Sequence, residues 1–150
     1  MTIGTSTNYA ALVFKFMAKH KQPIMRSPSL VPPELSDFRI RLIEEELKEI
    51  KTAIESQDLY LISDGIADLL YVTFGLAVTY GIPIDSIFEE VHRSNMSKSI
   101  IRVVGNEMKV GKGPTYSPPR IKPLVDQCIR MIEGDTNVNS NTKEQTPDKV

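Results

Sequence analysis

The sequence predicts an all-α protein: a four-helix bundle-like fold with a short C-terminal helix and a disordered tail. Three observations carry this reading. Apolar residues recur at helical rather than alternating spacing through most of the first 95 positions. Prolines fall between those stretches, where they stop one helix before the next begins. Beyond Gly134 the chain is Asn, Thr, Ser, Lys and Asp with almost nothing apolar, a composition that cannot bury a core. The 150 residues suffice for one domain, so 1–133 reads as a single domain and 134–150 as the tail.

The elements follow in order. Leu12, Val13, Phe16 and Met17 predict a first helix over about Asn8 to Lys21. Pro23, Pro28, Pro32 and Pro33 make a stiff linker. Ser36 or a neighbour caps a second helix running to about Ser56, and Asp58 starts a third that ends near Gly81. Pro83 breaks the chain, with Asp85 as N-cap of a fourth helix to about Asn95 or Ser97. Ile100–Val104 and Met108–Val110 flank Gly105-Asn106, which reads as a short hairpin or as an ordered loop. A last helix spans roughly Ile121 to Ile132.

Charge narrows the function classes. Lys+Arg is 18 and Asp+Glu 19, a net charge of −1, so the basic excess of a nucleic-acid binder is missing. One cysteine, Cys128, permits no internal disulfide. Phe14–Met17 is interrupted by Lys15 and followed by Lys19, His20 and Lys21, unlike a secretion signal. The uncharged run Leu69–Ile84 is shorter than the roughly 20 residues of a membrane span. A cytoplasmic protein without nucleic-acid or membrane partners is expected.

The acids are the informative feature. Leu59–Ile84 holds two charges, Asp64 and Asp68, four apart and therefore on one helix face. With Asp64 at zero on a wheel, Asp68 lies at about 40°, between Leu61 and Val72, on a helix apolar nearly all round. Such a helix is expected to be buried, and two buried carboxylates need a partner: a divalent cation, or an arginine such as Arg39, Arg41 or Arg93. On the preceding helix Glu45, Glu49 and Glu46 fall at about 0°, 40° and 100°, with Glu46 among Leu42, Ala53 and Ile50. Consecutive helices with a short connection pack antiparallel, so the two acid sets face each other. Oxygen ligands at that density suit Mg2+ or Mn2+. Zinc is disfavoured because there is no Cys cluster and His20 and His92 lie far from the acids in sequence. A di-iron site is disfavoured because neither acidic helix carries a His.

Glu45, Glu46 and Glu49, with Asp68 in Ala67-Asp68-Leu69-Leu70-Tyr71, resemble the motif of the all-α nucleoside triphosphate pyrophosphohydrolases. This is the MazG-like and phosphoribosyl-ATP pyrophosphohydrolase-like superfamily, with Glu-Glu-x-x-Glu on one helix and Glu-x-x-Asp on the next. The chain departs at Gly65, where the family has its second-helix Glu; an acid stands one position earlier, at Asp64. His92-Arg93-Ser94-Asn95-Met96-Ser97-Lys98 and Lys112-Gly113-Pro114-x-Tyr116-x-Pro118-Pro119 resemble signatures of the MazG-like branch. The resemblance implies Mg2+-dependent hydrolysis of a nucleoside triphosphate between the α and β phosphorus. Glu46, Glu49, Asp64 and Asp68 would be metal ligands and Glu45 the residue that deprotonates the attacking water. Arg93, Lys98 and Lys112 would clamp phosphates, Asn95 would meet base or sugar, and Tyr116 would pack on the ligand. The alternatives are the phosphoribosyl-ATP reaction, ranked lower on the two signature segments, and a catalytically inactive nucleotide-sensing or dimerisation module, favoured by Gly65. The apolar third helix predicts a homodimer or homotetramer.

Overall fold

The computed structural model describes residues 7–104 and 107–141, with side chains described to residue 99 and over 110–133. The chain divides into two compact units, Met1–Ile82 and Pro83–Val150.

The first unit holds three helices: α1 (Tyr9–Lys19), α2 (Pro33–Glu55) and α3 (Leu59–Thr79). Asn8 caps α1, its Oδ1 accepting from the Ala11 N–H at 2.6 Å. Asp58 caps α3 by accepting from the Tyr60 and Leu61 N–H groups at 2.9 and 3.1 Å. Helix α2 starts three residues before the expected Ser36 cap. Pro33 takes the first helical position, where a missing N–H goes unnoticed and φ is already set. Ser36 lies inside the helix, its hydroxyl 2.8 Å from that of Tyr80.

All three helices end in the same way. The residue after the C-cap is left-handed: Lys21 at φ 54°, Gln57 at φ 55° and Gly81 at φ 66°. After α2, the Gln57 N–H donates to Ile54 O at 3.1 Å and the Asp58 N–H to Ala53 O at 3.2 Å, a Schellman closure. Asp58 then caps α3, so only Ser56, Gln57 and Asp58 separate the two helices and they fold back on each other. Gly81 is required sterically, since a Cβ there would sit 2.4 Å from Ser27 O.

The core joins α1 to α3: Val13, Met17 and Val78 are buried, with Ile24 and Phe74 packed against them. Arg39 of α2 is also buried, at 4% exposure. Helix α3 departs from expectation. It packs on α2 and α1, yet Leu61, Ile66 and Leu70 are 50–54% exposed and Asp64 and Asp68 are exposed. Two neighbours cover only part of a helix that is apolar all round. Among the described residues, α3 is also the one helix long and apolar enough to cross a membrane.

The second unit holds α4 (Ile84–Met96), strands β1 (Ser99–Val104) and β2 (Glu107–Gly111), and α5 (Ile121–Asn141). Pro83, not Asp85, precedes α4 as its cap, and Asp85 lies in the first turn, where its charge complements the helix dipole. The hairpin reading holds: β1 and β2 pair antiparallel from Ser99↔Gly111 to Val104↔Glu107, with an irregularity between Ile100 and Arg102. The Gly105-Asn106 turn lies outside the described residues. Helix α5 extends past the expected stop near Ile132 to Asn141, through the first part of the expected tail; 142–150 lie outside the described residues. The all-α class stands, with one added hairpin.

Candidate active site: an acidic seam between two helices

The tight Gln57 turn sets α2 and α3 side by side, and the acid sets meet across their seam. Glu45, Glu49 and Asp64 line one hollow of about 410 Å³, with Lys48, Thr52, Ala53, Leu61 and Gly65. Glu46 is the half-buried member of the cluster; Glu45, Glu49, Asp64 and Asp68 are exposed. The Glu46 carboxyl is pushed above the usual carboxylate range, first by desolvation and then by repulsion from Glu49, Asp68, Glu45 and Asp64. Both acid sets therefore act on one carboxyl, although they come from different helices.

This corrects one expectation. The sequence reading places the desolvation burden on Asp64 and Asp68. In the single chain it falls on Glu46, because α3 turns its acids to a seam that is still open to solvent. The arginine alternative finds no support among the described residues. No ion pair joins Arg39, Arg41 or Arg93 to either aspartate; Arg93 pairs with Glu90. The donor set, five carboxylates and no imidazole or thiolate, fits a hard divalent cation. Among the described residues no three acids are already drawn around a single point, so ligation needs side-chain rotation.

Gly65 of α3 is buried against Ile50 of α2. A Cβ there would lie 2.8 Å from Ile50 Cγ1, inside any normal contact. Lys48 and Thr52 are lining residues that the motif does not flag. The wheel does hold the signal, since Thr52 falls about 20° from Glu45. The Thr52 hydroxyl bonds back to Lys48 O at 3.2 Å.

The other nominated residues belong to the second unit. Arg93 forks onto Glu90, Nε to Oε2 and Nη2 to Oε1 at 2.8 Å each, and donates to Ser117 Oγ and Pro118 O at 3.1 Å. Glu90 also accepts from the Arg120 N–H at 2.7 Å. Those bonds, with the two arginine charges, hold the Glu90 carboxyl down at about 2. Arg93 and Glu90 line a second hollow of about 590 Å³ with Arg120 and Leu124. Asn95 is exposed at the end of α4, where its carbonyl accepts from the Lys98 N–H at 3.1 Å; it does not share an inward face with Val91. The buried residue there is Ser94, at 3%. Lys98 is half-buried. Lys112 is exposed, its Nζ 5.2 Å from the centroid of the half-buried Tyr116 ring.

Two antiparallel helices that oppose a Glu-Glu-x-x-Glu set to a pair of aspartates define the class of all-α, MazG-like pyrophosphohydrolases. Within it the chain belongs to the phosphoribosyl-ATP pyrophosphohydrolase family, whose profile matches residues 13–95. That span holds all five carboxylates and ends at Asn95, before Lys98 and the Lys112–Pro119 segment that favour the other branch. The chain is also similar to uncharacterized protein L479 of Acanthamoeba polyphaga mimivirus, 36% identical over 115 residues. The similarity covers 71% of this chain and 44% of the viral protein, so the chain spans less than half of that relative's length. The family supports a pyrophosphohydrolase activity.

Proposed function

We propose that this chain hydrolyses a ribo- or deoxyribonucleoside triphosphate between the α and β phosphorus, releasing the monophosphate and pyrophosphate, with Mg2+ or Mn2+ as cofactor. The observation that carries this reading is the concentration of five carboxylates on one seam, with repulsion focused on Glu46 and no ion pair from any of them among the described residues. Glu46, Glu49, Asp64 and Asp68 hold the cation, which supplies positive charge against the triphosphate and the transition state. Glu45, on the wall of the hollow, takes the proton of the attacking water. The family resemblance gives Arg93, Lys98 and Lys112 of the second unit phosphate-binding roles and Asn95 and Tyr116 contacts to the rest of the nucleotide.

The protein acts as a homodimer or homotetramer in the cytoplasm. The uncovered apolar face of α3, with Ile66 and Leu70, meets another copy of the chain. A second reading, hydrolysis of phosphoribosyl-ATP, is favoured by the family whose profile matches. A third, an inactive nucleotide-sensing module, is favoured by Gly65 standing in the place of the family Glu.

One assay separates them: a panel of nucleoside triphosphates and phosphoribosyl-ATP, each with Mg2+, read by pyrophosphate release. Release from one or more triphosphates supports the main reading. Release from phosphoribosyl-ATP alone moves the function to the second, and no release from any by folded protein moves it to the third.

A further inference from the structure

We infer that Gly65 is a positioning residue: its missing side chain sets the distance between α2 and α3, and with it the reach between the two carboxylate sets. The inference rests on the metal-dependent reading above and deepens it. Gly65 is buried, follows Asp64 directly and precedes Asp68 by three residues. It packs on Ile50, which follows Glu49 and lies one turn after Glu46. A tight contact of the helix pair thus falls in the middle of its acids.

The tolerance is small. A Cβ at position 65 would meet Ile50 Cγ1 at 2.8 Å, with the Ile50 backbone N and Cα behind it at 3.7 Å. A β-branched side chain on a helix keeps one χ1 well, so Ile50 does not swing aside. Ordinary contact begins near 3.4 Å, so the helices must part by at least about 0.6 Å at this level. Metal–ligand distances hold within about 0.2 Å. Asp64 and Asp68, one methylene shorter than glutamate, have the least reach with which to make up such a movement. Gly65 therefore accounts for the departure from the family pattern. Position 65 is occupied by the helix contact, and the acid stands at Asp64, exposed on the wall of the hollow.

The test is Mn2+ binding to the full chain, by electron paramagnetic resonance of the free ion, for the wild type, Gly65→Ala, Ile50→Ala and the double variant. Melting of each metal-free protein is recorded alongside. Gly65→Ala is expected to bind Mn2+ about 10- to 100-fold more weakly, the range for residues that orient metal ligands. The double variant, with Ile50 cut back, is expected to return to within about threefold of Ile50→Ala. Two results overturn the inference: a Gly65→Ala protein that melts lower but binds as the wild type does, which is a packing role alone, or a double variant as weak as Gly65→Ala. Should Gly65→Ala not fold, the double variant against Ile50→Ala decides. Equal affinity supports the inference and a tenfold gap overturns it. A wild type that binds no Mn2+ removes the metal reading itself, a failure distinct from the other two.

Discussion

Among the described residues Arg39 is a charge buried without an anion, and replacing it by methionine tests what that burial is worth. The residue is 4% exposed and its Nη2 donates to Gln22 Oε1 at 3.0 Å. The same nitrogen lies 3.8 Å from Met17 Sδ. Nε has no hydrogen-bond partner among the described residues, and burial lowers the guanidinium pKa. An orphaned buried N–H costs about 1–3 kcal/mol, and the bond from a charged donor to Gln22 returns about 1.5–3 kcal/mol. The two nearly cancel. A methionine side chain fills a similar linear volume on a helix that favours both residue types equally. Gln22, half-buried, can turn its carbonyl to water. Arg39→Met is thus expected within about 1.5 kcal/mol of the wild type by urea denaturation. Arg39→Ala, which leaves a hole beside Val13, Met17 and Gly75, should lose about 2–5 kcal/mol. At this chain length that is a fall in melting temperature of roughly 4–20 °C. A loss for Arg39→Met above about 3 kcal/mol would refute the reasoning, since that magnitude marks the loss of one member of a buried ion pair.

Other outcomes follow from the seam and from α4. On the proposed metal-dependent reading Mg2+ should raise the wild-type melting temperature, and Asp68→Asn should abolish both that rise and pyrophosphate release; turnover at the wild-type rate would take Asp68 out of the site. The raised Glu46 carboxyl binds its proton more tightly folded than unfolded, so its contribution falls as pH rises through and above the usual carboxylate range. Metal-free Glu46→Gln should lose that part of the slope, measured by melting across pH 4 to 8; an unchanged profile counts against the cluster. Glu90 has the opposite sign. With its carboxyl at about 2, it stabilises above the usual range and that contribution disappears as pH falls toward 2. Glu90→Gln should therefore flatten the acid limb of the melting curve, which an unaltered limb would contradict.

Helix identity and order were legible because their signals are local. Asp58 was readable as the start of α3 from residue type alone, and the Glu45–Glu46–Glu49 face from the wheel. Glu46 emerges as the half-buried acid because Leu42, Ala53 and Ile50 surround it on that wheel. Three features were not readable. The start of α2 moved to Pro33 because a proline fits the first turn as well as it stops a helix. The exposure of Asp64 and Asp68 depends on how many elements cover α3, which no single-helix pattern encodes. The bonds from Arg93 to Ser117 and Pro118, and from the Arg120 N–H to Glu90, join residues more than 20 apart in sequence, and the motif that nominates Arg93 is silent on them. Gly65 was legible as a departure from the pattern but not as a contact, since its meaning lies in Ile50.

The left-handed Gln57 has a consequence for how this sequence can vary. Between Glu49 and Asp64 the chain makes one turn closed by two hydrogen bonds and one cap, with no slack. A residue inserted there would rotate α3 by about 100° on its axis. Asp64 and Asp68 would then leave the seam and an apolar row would face the glutamates, with every acid still present in the sequence. The spacing of the acids along the chain is therefore itself a functional quantity. A substitution in Ser56–Asp58 leaves that spacing unchanged, whereas a change of length there does not.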